Sequence, residues 1–413
     1  KKILELIKQP DSNTTYIHIV GTNGKTSTTI MTANILYGQG FKSGYHISPH
    51  ITEYTERLWY CGRQISRQRF ARLLSDLFPY INKVNSLDLG GEMTQFEIIA
   101  AMAFKLALDE SLDVMVLEAG LGGRWDATNA VDSKIVGFTG VSLEHTAILG
   151  KTIREIAIEK SKVIKNSSMV ATASRNNKVL EVIREQVNKT GSKLFIYGSE
   201  FKILSYKNRY LCGYNVYVKG LTTSYYNLFL PLLGNYQPKN LALAIALSEL
   251  YMRMKNKNIN KEKLALSLNN LKVLGRFEII KKKPLIIADT SHNPEGVRNF
   301  LKNIKENFKK KRKIIIFSVL KDKDYRKMIE SILNISDILI VSSSNTNRSL
   351  TADNLEIEVK KIIDKRTIAS KKVPDKLIKI NSINDSLKYA LKNSNINDII
   401  CITGSITNLE NII

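Results

Sequence analysis

A chain of 413 residues is too long for one ordinary hydrophobic core, so two or three domains are expected. Hydrophobic and charged shares of 43% and 24% describe a soluble globular protein, and no run approaches the ~18 apolar residues of a membrane span. The net charge of +24 invites a nucleic acid as partner. The lysines, however, are spread over the whole chain, arginine is not clustered, and no aromatic platform interleaves with the basic residues. A drift in composition toward Lys, Ile and Asn accounts for the charge. Neither a nucleic-acid nor a membrane partner is expected, and a monomer is. Cys61, Cys212 and Cys401 are far apart and odd in number, which gives neither a disulfide framework nor a zinc pattern and points to a reducing cytoplasm.

The opening KKILELIKQP has too short an apolar run for a secretory signal and reads as an amphipathic helix that lacks residues upstream. Tyr16 to Ile30, YIHIVGTNGKTSTTI, is the most informative stretch. A β-branched apolar run breaks at a glycine loop and restarts as a helix after Lys25. Such a turn aims backbone N–H groups and a helix N-terminus at one point, which suits a phosphate with an ammonium and a hydroxyl–Mg²⁺ pair beside it. It departs from the standard phosphate loop, which has a glycine where this chain has Ile19.

The helix from Thr26 to about Tyr37 is predicted to stop at Gly38 and Gly40. A strand over 44–47 then ends in Ser48-Pro49-His50, where the proline places the Ser48 hydroxyl at a loop tip. A hairpin is predicted over 55–66, with Cys61-Gly62 near its turn, and a helix over 67–77. Thr94 and Glu97 have capping-box spacing at the start of a helix that runs to Leu108, so Glu97 reads equally as a cap and as a substrate contact.

An apolar strand over 113–117 leads to Glu118 and three glycines. A carboxylate at the end of a buried strand, beside a phosphate loop, is the usual partner for Mg²⁺. A strand over 133–141 ends just before Glu144-His145, which places His145 on the same edge as a metal candidate. Thr152 and Glu155 form a second capping box, opening a helix to Lys165. Lys160 falls on its inward stripe with Ile153, Ile156, Ala157 and Ile164, either snorkelling to water or chemically recruited. Further strands over 170–173 and 193–197 flank a helix over 179–187. Over 201–230 the alternating pattern of Tyr214, Val216, Val218 and of Tyr226, Leu228, Leu230 predicts antiparallel hairpins covering an edge. A long helix opens at Pro238. After Gly275-Arg276 a βα alternation restarts, with strands over 285–288, 314–318, 338–341, 378–381 and 399–402.

The predicted fold is α/β. A central-sheet ATPase domain with a phosphate loop spans residues 1–272, and a smaller doubly wound, Rossmann-like C-terminal domain spans 273–413.

Eight stretches carry a resemblance, in order along the chain: GTNGKTST (21–28), SPH (48–50), TQFE (94–97), EAGLGGRWDATN (118–129), EHTAILGKTIREIAIEK (144–160), GNYQPKN (234–240), GRFE (275–278) and DTSHNP (289–294). Together they resemble the folylpolyglutamate synthase / dihydrofolate synthase family of the Mur ligase superfamily. The resemblance implies ATP-dependent amide formation in the cytoplasm, in which a carboxylate is phosphorylated and the acyl phosphate is attacked by the amine of glutamate. It implies ATP and two Mg²⁺ ions as cofactors, with a monovalent cation as a further candidate. A folate or dihydropteroate and L-glutamate would be the substrates.

Gly21, Thr22, Asn23, Gly24, Lys25, Thr26 and Ser27 would cradle the triphosphate, with Lys25 at the transferring phosphoryl group. Ser48, Glu118 and Thr26 would hold the first Mg²⁺, His145 the second, and Lys160 matches the lysine that the family carbamylates, which turns its ammonium into an anion able to bind Mg²⁺. Asn240, Arg276 and Asp289 match nucleotide contacts, and His292 lies in the motif beside the γ-phosphate. That implies ATP sandwiched between domains, with closure about 271–276.

Thr26 replaces the family's glycine, as in the cell-wall Mur ligases. Glu144 replaces an Asp, Trp125 a smaller aliphatic residue, and Ser161 an Ala. Two alternatives are a cell-wall-type ligase acting on a UDP-linked precursor and a basic, nucleotide-dependent nucleic-acid-binding protein.

Overall fold

A computed structural model of the chain describes residues 1–7, 13–87, 90–410 and 412. The end of the predicted N-terminal helix, residues 8–10, lies outside the described residues. Two compact units emerge: Lys1–Arg209, Tyr214–Pro231 and Tyr236–Lys272 form the first, and Tyr210–Gly213, Leu232–Asn235 and Val273–Ile413 the second.

The first unit begins with α1 (Lys2–Leu6), β1 (Thr15–Val20), α2 (Lys25–Gly38) and β2 (Ser43–His46). A hairpin of β3 (Leu58–Tyr60) and β4 (Arg63–Gln64) follows, then α3 (Arg67–Asn85), α4 (Gln95–Asp109) and β5 (Val114–Glu118). Next are β6 (Ile135–Phe138), α5 (Thr146–Leu149), α6 (Ile153–Ser161), β7 (Met169–Thr172), α7 (Asn177–Lys189) and β8 (Lys193–Ile196). These strands form one sheet in the order β4-β3-β2-β5-β1-β6-β7-β8, parallel from β2 to β8. The central strands are buried on both faces, which is why they read as continuous apolar runs rather than alternating ones. Ile19 pairs with Glu118 and Val20 with Phe138, so the three central strands end on one level. One core joins α1, α3 and α4 to the sheet, and another joins α6 and α7.

Helix α3 outruns its predicted end because Pro79 lies on its exposed side. The carbonyl that Pro79 cannot bond belongs to exposed Ser75, while Leu73, Leu77 and Ile81 keep the buried stripe intact on both sides of the proline. The predicted strand over 133–141 contracts to β6, and α6 stops at Ser161. Thr152 caps α6 by accepting from the Glu155 N–H at 3.2 Å, but Glu155 turns to the Lys151 N–H at 2.6 Å, so the box is not reciprocal.

Strands β9 (Lys202–Asn208), β10 (Tyr214–Lys219) and β11 (Ser224–Leu230) make a separate antiparallel sheet. Here the predicted alternation slips: Tyr225 is buried and Tyr226 exposed. Asn227 takes a φ of 54°, and the register shifts between Val216 and Val218, which turns Tyr226 outward. Helix α8 (Gln237–Met254) is buried on nearly every side, as its all-round apolar sequence requires, and α9 (Lys261–Leu268) follows.

The second unit alternates β12 (Glu278–Lys282), β13 (Leu285–Ala288), α10 (Pro294–Asn307), β14 (Lys313–Phe317), α11 (Tyr325–Leu333), β15 (Ile338–Ser343), α12 (Ala352–Ile368), β16 (Lys376–Ser382), α13 (Ile383–Lys392) and β17 (Ile399–Thr403). The sheet order is β12-β13-β17-β14-β15-β16, parallel apart from β12. The antiparallel edge strand β12 was not expected from the sequence. Its lysines leave it only half-covered, so it lacks the apolar run of its neighbours.

Candidate active site

The loop between β1 and α2 is shaped by two glycines. At Gly21, with φ 145°, a Cβ would fall 2.0 Å from Thr139 Oγ1 and 2.8 Å from the Gly140 carbonyl. At Gly24, with φ 89°, it would meet Asn240 Oδ1 at 2.7 Å. The loop is tied to the end of β6: the Thr22 N–H donates to the Gly140 carbonyl at 2.7 Å, and Thr22 Oγ1 accepts from the Ser142 N–H at 3.1 Å. Lys25 Nζ folds over the loop, donating to the carbonyls of Gly21 at 3.1 Å and Thr22 at 3.0 Å. From below, Gln237 Nε2 donates to Ser27 Oγ at 3.2 Å, and Asn240 Nδ2 donates to Gln237 Oε1 at 3.1 Å. Asn240 is thus brought to the glycine loop by the first turn of α8.

Glu118, 2% exposed, ends β5 beside this loop. Thr26 Oγ1 donates to its Oε1 at 2.9 Å, and the Ser48 N–H donates to its Oε2 at 3.2 Å. Thr26, Ser48 and Glu118 therefore converge from α2, the loop after β2, and β5.

Lys160 is also 2% exposed. It neither snorkels to water nor lies idle: Nζ donates to the Gly21 carbonyl at 2.8 Å and to Glu144 Oε1 at 2.9 Å. Burial alone would raise the Glu144 carboxyl, but the ammoniums of Lys160 and Lys25 outweigh it and hold the group at about 2. Burial pushes Lys160 itself below the ordinary lysine range, with Glu144 pulling the other way. A buried amine with a lowered pKa has more of the neutral form that reacts with CO₂. His145 stands next to Glu144 in the left-handed region, at φ 46°, at the start of α5.

The loop after Glu118 packs directly on α6. A Cβ on Gly123 would lie 2.8 Å from the carbonyls of Glu159 and Lys160, and the Arg124 N–H donates to the Glu159 carbonyl at 3.1 Å. This loop is braced by a buried chain of contacts. Asp126 accepts from the Leu121 N–H at 2.7 Å and from Thr128 Oγ1 at 2.5 Å, and Thr128 Oγ1 meets His18 Nε2 at 2.7 Å. Burial depresses His18 to about 3 and keeps the ring neutral. Trp125, 88% exposed, stands outside this bracing. Glu97 serves as the cap of α4, accepting from the Thr94 N–H at 2.8 Å.

In the second unit, Arg276, Asp289 and His292 gather at the end of β13. Asp289 accepts from the Phe277 N–H at 2.8 Å, from the Ser291 N–H at 2.9 Å and from Ser291 Oγ. Its burial raises its pKa, against the Ser291 hydrogen bond and the Arg276 charge. Arg276 Nη1 donates to the Gly275 carbonyl at 3.3 Å, and His292 Nδ1 lies 3.0 Å from the Thr290 carbonyl.

Among the described residues, no group of three or more His, Cys, Asp or Glu side chains is placed to hold a metal ion. One carboxylate with two hydroxyl-bearing residues nevertheless suits Mg²⁺, which takes few protein ligands and fills its octahedron with water and phosphate oxygens. As an ammonium, Lys160 offers no lone pair to a metal. Sequence reasoning missed Arg57, whose Nε donates to His50 Nδ1 at 2.8 Å, and the Asp126–Thr128–His18 chain. Only the DATN stretch gave any signal of the latter.

Residues 19–248 match the Mur ligase middle domain and residues 275–406 the Mur ligase glutamate ligase domain. The dihydrofolate synthase/folylpolyglutamate synthase of Bacillus subtilis is 28% identical over 98% of this chain and 91% of its own length. The folylpolyglutamate synthase of Lacticaseibacillus casei is 28% identical over 84% of this chain and 81% of its own. The crystal structure of Mycobacterium tuberculosis folylpolyglutamate synthase complexed with ADP and AMPPCP superposes with a TM-score of 0.91 at 25% identity, covering 99% of this chain and 92% of that one. With its glycine loop, its strand-end glutamate and both domain matches in order, the chain belongs to the folylpolyglutamate synthase / dihydrofolate synthase family of the Mur ligase superfamily.

Proposed function

We propose that the protein is an ATP-dependent ligase that joins L-glutamate to a folate, to dihydropteroate, or to both, through an acyl phosphate. The convergence of Thr26 and Ser48 on Glu118, directly beside a glycine loop that opens a helix, carries the reading. Backbone N–H groups at the start of α2 would cradle the phosphates, and Lys25 would swing from the Gly21 and Thr22 carbonyls to the transferring phosphoryl group. Ser48, Thr26 and Glu118 would hold one Mg²⁺ and His145 a second, and bound Mg²⁺ supplies charge neutralisation along the phosphates. Lys160 would act as a carbamate, its amine made reactive by burial. Asn240, Arg276, Asp289 and His292 are assigned to the nucleotide. The names of the relatives cover both glutamate-adding reactions and favour the folate reading over a cell-wall one.

Among the described residues, no helix is long and apolar enough to cross a membrane. We assign the enzyme to the cytoplasm, as a monomer with small-molecule substrates. The decisive assay measures ADP release with glutamate and either tetrahydrofolate or dihydropteroate as sole acceptor. Release above background with at least one is expected, and none with either overturns the reading.

A further inference from the structure

Arg57, a cation in a polar segment, is only 8% exposed. It closes a single helical turn over 54–57 that follows the Ser48-Pro49-His50 loop. The turn is rigid. Glu56 accepts from the N–H groups of Ile51 at 2.8 Å, Thr52 at 2.7 Å and Glu53 at 2.8 Å. Arg57 Nε donates to His50 Nδ1 at 2.8 Å, which fixes the imidazole in the tautomer protonated at Nε2. The guanidinium carbon lies 5.6 Å from the centre of the Tyr54 ring, and Tyr54 and His50 are themselves 4.3 Å apart, centre to centre. Tyr54 is anchored in turn by Gln95 Nε2, 2.5 Å from its hydroxyl.

These contacts use one N–H and one face of the guanidinium. Its two terminal nitrogens have no protein hydrogen bond among the described residues, and neither is sealed away from solvent. Among the described residues the cation forms no salt bridge, although the charges of Glu118 and Glu56 are near enough to be felt. A buried guanidinium costs several kcal/mol to desolvate and is ordinarily matched by a bidentate anion. The two carboxylates whose charge reaches Arg57 are engaged by other groups: Glu56 by backbone amides, Glu118 by Thr26 and Ser48.

We propose that Arg57 is a further binding residue of this site, receiving the carboxylate of the acceptor on its two terminal nitrogens. The proposal rests on the ligase reading above. An acceptor carboxylate that must approach a triphosphate and Glu118 meets strong repulsion, and a preset cation beside Glu118 offsets it. His50 and Tyr54 hold the guanidinium at a fixed angle, so little side-chain entropy is lost on binding.

The test compares dihydropteroate with its carboxamide, which keeps the pterin and the ring but carries no charge. Equilibrium binding of each is measured by calorimetry on wild-type protein, Arg57→Gln and Arg57→Lys, all with Mg²⁺ and AMPPCP present. Folding of each variant is checked by circular dichroism. Wild-type protein is expected to prefer the carboxylate at least tenfold. Arg57→Gln should lose that preference while binding the carboxamide as wild type does, and Arg57→Lys should keep part of it. A wild-type protein indifferent to the carboxylate overturns the proposal even if the Gln variant does not fold, as does an Arg57→Gln protein that retains the full preference. A wild-type protein that binds AMPPCP but neither pterin also overturns this proposal, whereas the ligase reading itself falls only if ADP release fails with tetrahydrofolate as well as with dihydropteroate.

Discussion

Glu118 and Asp289 both stand at the C-terminal end of a parallel strand, and they are held in opposite ways. Thr26 and Ser48, which donate to Glu118, lie 92 and 70 positions away along the chain. Phe277 and Ser291, which donate to Asp289, lie 12 and 2 positions away. One carboxylate is a meeting point that exists only once α2, β2 and β5 have assembled, and the other is wrapped by its own loop. A group that gathers distant elements is suited to hold a ligand between them. A group satisfied locally is suited to present a fixed backbone shape. Changes at the residues that converge on Glu118 should therefore fall on chemistry, and changes at the residues that brace Asp289, itself assigned to the nucleotide, on local stability.

The largest effect is expected on the assembled side. Lys160 reaches across 139 positions to Gly21. Lys160→Ala should cut glutamate-dependent ADP release by about 10²- to 10³-fold, the scale of losing one preorganised electrostatic group, while the far-ultraviolet dichroism stays native. Partial recovery with added short-chain carboxylates would identify the missing anion, and wild-type turnover would remove Lys160 from the chemistry. Thr26→Val comes next. It deletes the hydroxyl that orients Glu118 but keeps its shape, and the Mg²⁺ concentration needed for half-maximal AMPPCP binding should rise about 10- to 100-fold.

His18, braced against Thr128 under the loop that follows Glu118, gives a pH signature. Its folded pKa of about 3 lies below the ordinary value near 6.5, so only the unfolded chain takes up a proton between those limits. Stability that is fully present above pH 6.5 is lost as the pH falls, by about 2 kcal/mol at pH 5. Denaturant melts at pH 7.5 and 5 should show this loss, and His18→Gln should flatten it. The smallest effect belongs to the second unit. Ser291→Ala removes one hydroxyl from Asp289 and should cost about 1 kcal/mol in unfolding free energy, with nucleotide affinity changed less than threefold. A collapse of turnover in that variant would break the contrast between the two carboxylates.

Much of this was legible from the chain because the candidate site residues follow strands whose apolar runs are unmistakable. Gly21, Gly24 and Glu118 announce a turn, a helix start and a strand end by residue type alone. Arg57 could not be read that way, since an arginine in a polar segment normally points to water and burial is a tertiary fact. Strand β12 escaped for the converse reason, because an edge strand needs no apolar run. The Pro79 turn of α3 and the outward Tyr226 show local rules giving way, one to an intact buried stripe and the other to a single left-handed residue.

The division of the chain into units bears on how the protein can be dissected. The polypeptide enters its second unit three times, twice for only four residues, before it stays there from Val273 onward. Those brief visits are anchored: Asn235 exchanges hydrogen bonds of 2.8 and 3.0 Å with Asn303, and the Tyr210 ring lies 6.4 Å from that of Phe308. A gene fragment beginning at residue 273 therefore encodes a unit stripped of two of its own pieces. Supplying them as tethered peptides, or leaving the chain whole and nicking it with a protease, is the sounder route to studying either half.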